Sequence, residues 1–349
     1  MKYNFGAGPC ILPQEVFKEA AEAVLDFNGL SILEISHRSK DFIKVFEETR
    51  NNVKKALNIP DGYTVLFLQG GASLGFLIAA MNMAGKHKKA AYINTGTWST
   101  LAMKEAQNAG LEVVEVASSK DKDFTYIPTK FTVPEDVDYL HYTSNNTIRG
   151  TQFHFIPETT VPLVCDMSSD IFSRPIDVSK FDLIYAGAQK NLGPAGATLF
   201  IVKDSVFGRS SMPIPTYLDL KTHKDKDGLF NTPSVFSIFT ANLNLRHLLS
   251  IGGPEKMKII NQEKADLLYN EIDTNPNFRG IVEKESRSLM NVVFSLTDET
   301  KKERFNQLCD EAGIIGYKGH RSVGGYRLSL YNALPLSSVK VVVDLMKSL

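Results

Sequence analysis

The chain has 349 residues, of which 43% are hydrophobic and 22% are charged, values that are typical of a globular protein. Its 39 Lys and Arg residues balance 39 Asp and Glu residues, so no broad basic surface is expected for nucleic acid or an anionic membrane. No apolar run approaches the roughly 20 residues of a membrane-spanning helix, and the start lacks a signal-peptide pattern, so we expect a cytoplasmic protein.

Apolar periodicity predicts helices and strands in alternation over most of the chain. The predicted helices lie at residues 16–27, 42–57 (with Asp41 as a candidate cap), 72–83, 99–109, 237–249 and 256–272. The predicted strands lie at residues 63–68, 90–93, 111–116, 139–142, 161–165, 181–185 and 198–202. Such alternation predicts an α/β fold with a mostly parallel sheet covered by helices on both faces. Because only a short Gly-Pro-Ala-Gly loop separates the last two strands, one antiparallel member is expected.

The pattern changes after residue 272. The remaining predicted elements are strands at 289–296 and 325–330 and helices at 300–312 and 337–346. This βαβα tail predicts a separate small α/β domain, joined through the long helix before it. We therefore predict a large domain over residues 12–255 and a small C-terminal domain over residues 256–349, with residues 1–11 packing nearby.

An acidic residue ends one predicted strand and a lysine follows the next. Asp166 closes the run at 161–165, and Lys190 lies in a Gly-rich loop after the run at 181–185. A pyridoxal phosphate (PLP) enzyme needs this layout, because a lysine amine condenses with the cofactor aldehyde and a carboxylate keeps the pyridine nitrogen protonated. Considered alone, a solvated loop lysine is the more common explanation.

Two further features lie at strand ends. Residues 70–73 (Gly-Gly-Ala-Ser) form a turn between a strand and a helix, where backbone N–H groups and the helix dipole favour an anion. Trp98 is the only tryptophan, and it follows a short strand at the sheet edge where ligands bind in open α/β folds. An ordinary capped turn and a half-buried core tryptophan are the structural alternatives.

Arginine and histidine occur together in two Gly- and Ser-rich stretches. The pairs are His37-Arg38 and His320-Arg321, and Arg327 follows in a predicted strand. Arginine suits bidentate recognition of carboxylate or phosphate, so these residues indicate a small, doubly anionic substrate. For either pair considered alone, the alternative is that its side chains are solvated charges in a surface loop.

Together these stretches resemble the phosphoserine aminotransferases, which are fold-type-I PLP enzymes of the class-V aminotransferase group. The resemblance runs from Asn4 to Ala333. It is carried in the order of the family by residues 35–39, 67–73, 145–150, 166–169, 187–191, 230–234 and 319–325. The expected reaction is reversible transfer of an amino group between L-glutamate and 3-phosphohydroxypyruvate, giving O-phospho-L-serine and 2-oxoglutarate in serine biosynthesis. The resemblance also makes a related step of vitamin B6 synthesis plausible as a second reaction.

The resemblance implies a role for each residue around the cofactor ring. Lys190 is expected to be the catalytic Schiff-base lysine. Asp166 is expected to hold the pyridine nitrogen and Thr147 the ring hydroxyl, while Trp98 stacks on the ring.

It also implies how the cofactor phosphate is held. The expected partners are the amides of Ala72 and Ser73, together with Gln189. Asn231 and Thr232 are expected to reach the same phosphate from a neighbouring subunit, so a homodimer is predicted.

The substrate anions are expected to bind the arginine and histidine residues. His37, Arg38, His320 and Arg321 are expected to hold the phosphate or distal carboxylate, and Arg327 the α-carboxylate. No metal is expected, because the three cysteines are far apart and lack metal-type spacing.

Two positions depart from the family pattern. Ser73 stands where many members have arginine, which removes one cation from the substrate pocket. Gly75 stands where a longer polar residue is common, and the sequence alone offers no reason for it.

Two rival functions fit the same elements. The nearer one is another PLP enzyme of this fold, either an alanine–glyoxylate type aminotransferase or, less favoured, a cysteine desulfurase. The other is a non-catalytic ligand-binding protein, in which Lys190 is an ordinary loop residue.

Overall fold

A computed structural model describes residues 2–349 of the chain. The helices are α1 (Gln14–Leu25), α2 (Lys40–Ala56), α3 (Gly71–Met83), α4 (Thr97–Asn108), α5 (Leu220–Lys224), α6 (Val235–Ser250), α7 (Gly253–Thr274), α8 (Lys302–Glu311) and α9 (Leu336–Lys347). The strands are β1 (Tyr3–Asn4), β2 (Tyr63–Leu68), β3 (Lys89–Asn94), β4 (Glu112–Ser118), β5 (Leu140–Thr143), β6 (Asn145–Asn146), β7 (Thr151–Gln152), β8 (Leu163–Asp166), β9 (Leu183–Gly187), β10 (Thr198–Lys203), β11 (Phe278–Gly280), β12 (Asn291–Leu296), β13 (Ile314–Ile315) and β14 (Tyr326–Ser329).

The central sheet has seven strands in the order β2-β10-β9-β8-β5-β3-β4. Strand β10 runs antiparallel to both of its neighbours, and the other pairings are parallel. This confirms the predicted α/β sheet with its single antiparallel member. Parallel strands place their carboxyl ends at one edge, and that edge is where side chains from different strands meet.

Helices cover both faces of this sheet. Helices α3 and α4 pack on one face, over a buried cluster that includes Tyr92 and Tyr185. Helices α1, α2 and α6 cover the other face, where Phe42 and Phe67 are buried. The cap of α2 is Ser39, whose hydroxyl accepts the Phe42 N–H at 3.2 Å, so Asp41 as its cap was wrong. Asp41 lies inside the first turn, where its charge still favours the helix dipole.

A second group of elements lies toward the C-terminus. Strands β11, β12 and β14 form an antiparallel sheet against α7 and α9, and β1 pairs with β13. The buried cluster of this C-terminal group includes Phe5 and Phe294. Helix α7 serves both groups, because Met257 belongs to the first core and Leu268 to the second. The division of the chain at residue 255 stays a prediction. None of the helices within residues 2–349 has the length and apolar character needed to cross a bilayer.

Candidate active site

A cavity of about 280 Å³ opens at the carboxyl edge of the central sheet. It lies where β5, β8 and β9 end and where α3 begins. Nine of the predicted site residues line it: Ala72, Ser73, Trp98, Thr147, Asp166, Gln189, Lys190, His320 and Arg327. A larger cavity of about 780 Å³, between α1, α6 and α7, also borders Lys190 but contains none of the other predicted site residues. The smaller cavity is therefore the candidate active site.

Lys190 projects from the loop that follows β9 and is only 9% exposed. Its Nζ donates to Thr147 Oγ1 at 2.9 Å. Burial lowers the pKa of the amine from 10.5 to about 8, against the opposing charge of Asp166, and the charge of Arg327 lowers it further. A lysine with such a pKa has an accessible neutral form, which is the nucleophilic form.

Asp166 ends β8 and is almost completely buried. Its Oδ1 accepts the N–H of Ser168 at 2.9 Å and the hydroxyl of Ser168 at 2.6 Å. The same hydroxyl oxygen accepts the N–H of Gly187 at 3.1 Å, which ties the ends of β8 and β9 together. Burial raises the pKa of Asp166, while the Ser168 hydrogen bonds and the charge of Lys190 lower it. Among residues 2–349 only Ser168 donates to this carboxylate, so Oδ2 remains available to a bound group.

The turn before α3 has left-handed backbone at both glycines, with φ of 96° at Gly70 and 64° at Gly71. This conformation starts the helix at the cavity wall, so the first N–H groups of α3, which have no partner within the helix, lie beside the cavity. The side chain of Ser73 is exposed there. The turn therefore has the chemistry of an anion site.

Gly75 is explained by packing. A Cβ on Gly75 would lie 2.9 Å from Cδ2 of Tyr185, closer than carbon atoms approach. The Tyr185 ring cannot retreat, because Phe76 and Phe200 pack against it and its hydroxyl lies 2.8 Å from Nε2 of buried His141. Glycine at this position lets the first turns of α3 lie close to the sheet.

Within the described chain, two residues of the cavity wall carry buried hydrogen-bond donors without partners. Among residues 2–349, buried Nε1 of Trp98 and Nε of Arg327 meet no acceptor. Nη1 of Arg327 donates to the Thr147 carbonyl at 3.2 Å, and burial lowers the pKa of this arginine. His320 lies at the rim, with Nδ1 at 2.8 Å from the Ser322 hydroxyl. The guanidinium of Arg327 and the ring of His320 give this part of the wall groups that can bind an anion.

Five predicted residues do not line this cavity within the single chain: His37, Arg38, Asn231, Thr232 and Arg321. His37 is buried, and its Nε2 has no partner within residues 2–349. Nδ2 of Asn231 donates to Gln69 Oε1 at 3.4 Å, and Nε2 of Gln69 donates to the Thr232 carbonyl at 3.3 Å. Their roles in substrate and phosphate binding stay predictions.

Several lining residues were not predicted from the sequence: Ala7, Gly8, Gly71, Thr143, Asn145, Ile148, Ser168 and Ser169. Asn145 donates to the Ser169 hydroxyl at 2.7 Å and to Asn291 Oδ1 at 2.8 Å, so it links the cavity to β12. Ser168 and Ser169 follow Asp166 within the stretch 166–169 that carries the family resemblance, so the sequence held a usable signal for them. Ala7 and Gly8 lie at the N-terminal start of the resemblance but were given no role, because only the tertiary fold brings this segment to Lys190.

Comparison with known proteins gives consistent results. The family model described as "Aminotransferase class-V" matches residues 2–342. The chain is 54% identical to a phosphoserine aminotransferase of Flavobacterium johnsoniae over 351 residues, covering 100% of this chain and 98% of that protein. It is similar to the solved phosphoserine aminotransferase from Bacillus circulans subsp. alkalophilus (41% identity, TM-score 0.96, covering 100% of this chain and 98% of that one). It is also similar to the PLP-bound phosphoserine aminotransferase from Trichomonas vaginalis (34% identity, TM-score 0.94, covering 99% and 100%).

Proposed function

The chain belongs to the class-V aminotransferase family, and we propose that it transfers an amino group reversibly between L-glutamate and 3-phosphohydroxypyruvate. The products are 2-oxoglutarate and O-phospho-L-serine. The observation that carries this proposal is the pair of Lys190 and Asp166, buried on one small cavity with opposite pKa shifts. The full-length similarity to phosphoserine aminotransferases supports this choice of substrates.

The cavity lining fits PLP. When bound, this cofactor supplies an aldehyde and a ring that accepts electrons from the substrate α-carbon. Asp166 offers a free Oδ2 to the protonated ring nitrogen, and its charge keeps that nitrogen protonated. Thr147 would offer its hydroxyl to the ring oxygen, and Trp98, which lines the same cavity, would pack beside the ring. Ala72 and Ser73 supply N–H groups at the start of α3 for the phosphate.

Lys190 carries the proton transfers. Its amine would hold the cofactor through the aldehyde and would be free once an amino acid is bound. The freed Nζ removes the α-proton of the amino acid and later delivers a proton on the same side, as base and then as acid. A pKa of about 8 suits both roles, because a group that titrates near the working pH can accept and donate.

The arginine and histidine residues hold the substrate. Arg327 binds the α-carboxylate from the cavity wall, and His320 at the rim contributes to the distal anion. His37, Arg38 and Arg321 complete the pocket for a γ-carboxylate or a phosphate. Two different anions must bind in turn, and several separate hydrogen-bond donors suit both better than one rigid pair.

The spectrum of the purified protein tests this function. We expect a visible absorption band that borohydride removes, and that L-glutamate and L-phosphoserine each convert to a shorter-wavelength band. After borohydride treatment the wild type should keep the cofactor covalently attached to Lys190, and Lys190→Ala should not. A colourless protein after incubation with PLP would support the non-catalytic alternative, and a response to L-alanine but not to L-phosphoserine would support the alanine-type enzyme.

A homodimer is part of this proposal, because Asn231 and Thr232 lie outside the cavity of their own chain. Mixed dimers provide the test. Lys190→Ala and Asn231→Ala are each expected to be nearly inactive alone. After unfolding and refolding together, mixed dimers should regain activity, because the site that retains Lys190 receives Asn231 from its partner. No recovery would place Asn231 in its own chain's site or in none.

We also propose a cytoplasmic enzyme of serine biosynthesis. The three cysteines, Cys10, Cys165 and Cys309, are all free in the described part of the chain, which suits a reducing compartment. The related step of vitamin B6 synthesis stays a prediction, and a phosphorylated hydroxy-keto acid as amino acceptor would test it.

A further inference from the structure

Lys264, on the inner face of α7, is completely buried. Among residues 2–349 it forms no salt bridge with a carboxylate. Its Nζ lies 3.0 Å from the Leu330 carbonyl, 2.8 Å from the Tyr331 carbonyl and 3.5 Å from the Asn332 carbonyl. A lysine ammonium has three donors and no acceptor, so three carbonyl oxygens match its protonated form. The amine thus binds the segment 330–332, immediately after β14.

This segment reaches the side chain of Lys190 through Tyr331. The Tyr331 hydroxyl donates to the Ala7 carbonyl at 2.8 Å. The next residue, Gly8, lies against the methylene groups of Lys190: a Cβ at Gly8 would be 3.5 Å from Lys190 Cγ. One wall of the channel that holds the Lys190 side chain therefore depends on the position of Tyr331.

The same segment reaches the backbone next to Lys190 through Asn332. The N–H of Asn332 donates to Oδ1 of Asn191 at 3.0 Å, and its Nδ2 donates to the Phe172 carbonyl at 3.0 Å. The loop carrying Lys190 is thus held from its C-terminal side by the residue that follows Tyr331.

We propose that Lys264 is a positioning residue for the catalytic lysine: it fixes segment 330–332, which supports the Lys190 side chain through Ala7 and Gly8 and the adjoining backbone through Asn191. This inference rests on the proposed role of Lys190. The two lysines differ in task, because Lys264 lines neither cavity and contacts no group that could react.

The chemistry of the site supports a specific task. A buried amine without a counter-ion is costly, and burial lowers the pKa of Lys264 to about 7. An apolar side chain of equal length would fill the same space without that cost. What it could not do is bind carbonyl oxygens of consecutive residues and so hold them in one position.

The test compares Lys264→Met with Lys258→Met in the full-length, PLP-loaded protein. Both changes lie on α7 and remove one amine, but Lys258 is exposed. For Lys264→Met we expect faster hydrogen exchange at the amide of Cys10, which donates to the Gln189 carbonyl at 3.1 Å, and at the amide of Asn332. The visible band should lose its circular dichroism. We also expect kcat to fall about tenfold or more with little change in KM, because small misplacements of a catalytic group are costly. Lys258→Met should match the wild type in all three readouts.

A purely structural effect of Lys264→Met would contradict the inference. If Lys264→Met only lowers the unfolding midpoint, while exchange, circular dichroism and kcat match the control, Lys264 is a structural residue and the inference is wrong. If Lys264→Met does not fold, Tyr331→Phe decides, because it removes only the hydroxyl that binds Ala7. It should reduce kcat and speed exchange near Ala7, and wild-type behaviour overturns the inference. A wild-type protein without a visible band would instead refute the proposed function.

Discussion

The pKa of Lys190 makes a quantitative prediction about the stability of the cofactor-free protein. Burial lowers this pKa from its ordinary value of 10.5 to about 8 in the folded chain. Below pH 8 the folded protein must bury a charged amine, which costs stability. Between pH 8 and 10.5 the unfolded lysine binds more protons than the folded one, so stability rises with pH there. Above pH 10.5 the amine is neutral in both states and the cost is gone.

The magnitude follows from the width of this interval. At about 1.4 kcal/mol per pH unit, the drop from 10.5 to about 8 corresponds to a cost of about 3 kcal/mol at pH 7. Lys190→Met removes this cost but loses the hydrogen bond to Thr147, worth about 1 kcal/mol. The variant should therefore be about 2 kcal/mol more stable than the cofactor-free wild type at pH 7. This advantage should disappear by about pH 10.

Urea unfolding at pH 7, 8.5 and 10, after removal of PLP from the wild type, measures this difference. Packing differences between lysine and methionine are the same at each pH, so they cancel in the change with pH. Lys258→Met, an exposed substitution, should show no pH-dependent difference. A stability difference between Lys190→Met and the wild type that stays constant from pH 7 to 10 would show that the amine titrates normally and that the electrostatic reasoning fails.

Three further substitutions test individual contacts. Gly75→Ala should lower the free energy of unfolding by about 1 kcal/mol, because overpacking against Tyr185 (about 1–3 kcal/mol) exceeds the gain in helix propensity (about 1 kcal/mol). Ser168→Ala should weaken PLP binding about tenfold or more, because Asp166 loses a charge-assisted hydrogen bond of about 1.5–3 kcal/mol. Arg327→Lys should raise the KM of glutamate about tenfold with a smaller effect on kcat, because one ammonium cannot form the bidentate pair with a carboxylate.

Each of these has a matched control or a contrary result. Denaturant unfolding measures the first, and a more stable Gly75→Ala would show that α3 can move away from the sheet. For the second, Ser179→Ala removes the same type of hydrogen bond to Asp177 on the surface and should leave PLP affinity unchanged. For the third, steady-state kinetics should show a larger effect on KM than on kcat, and the reverse would assign Arg327 to the chemical step.

The long elements of this fold could be predicted because their apolar patterns are local. The strand at 63–68 has the predicted bounds, and the other central strands agree within two residues. The hairpin of β6 and β7 was missed, because two-residue strands of polar residues carry no periodicity. These strands are held by side-chain hydrogen bonds, such as the one from Asn145 to Asn291, that only the tertiary fold creates.

The site residues also divide into those that the local sequence predicts and those that only the tertiary fold explains. Asp166 and Lys190 were predicted because each follows an apolar run, and strand ends meet at one edge of a parallel sheet. The reason for Gly75 could not be predicted, because the ring that excludes a Cβ belongs to Tyr185 on another strand. The carbonyl partners of Lys264 were equally hidden, since a lysine in a helix is normally solvated.

Two of the ionisable groups in the cavity, Lys190 and Asp166, are subject to the same balance of burial and charge. Burial favours the neutral form of both Lys190 and Asp166, while their mutual attraction favours the charged forms. A cationic ring nitrogen beside Asp166 would stabilise its carboxylate directly. Once Lys190 is covalently attached, its ammonium would no longer compete with the ring nitrogen for that carboxylate. Binding of PLP therefore relieves a cost that the folded chain carries without it. Since a ligand that binds only the folded state stabilises it, cofactor loading and folding should be strongly linked in this protein.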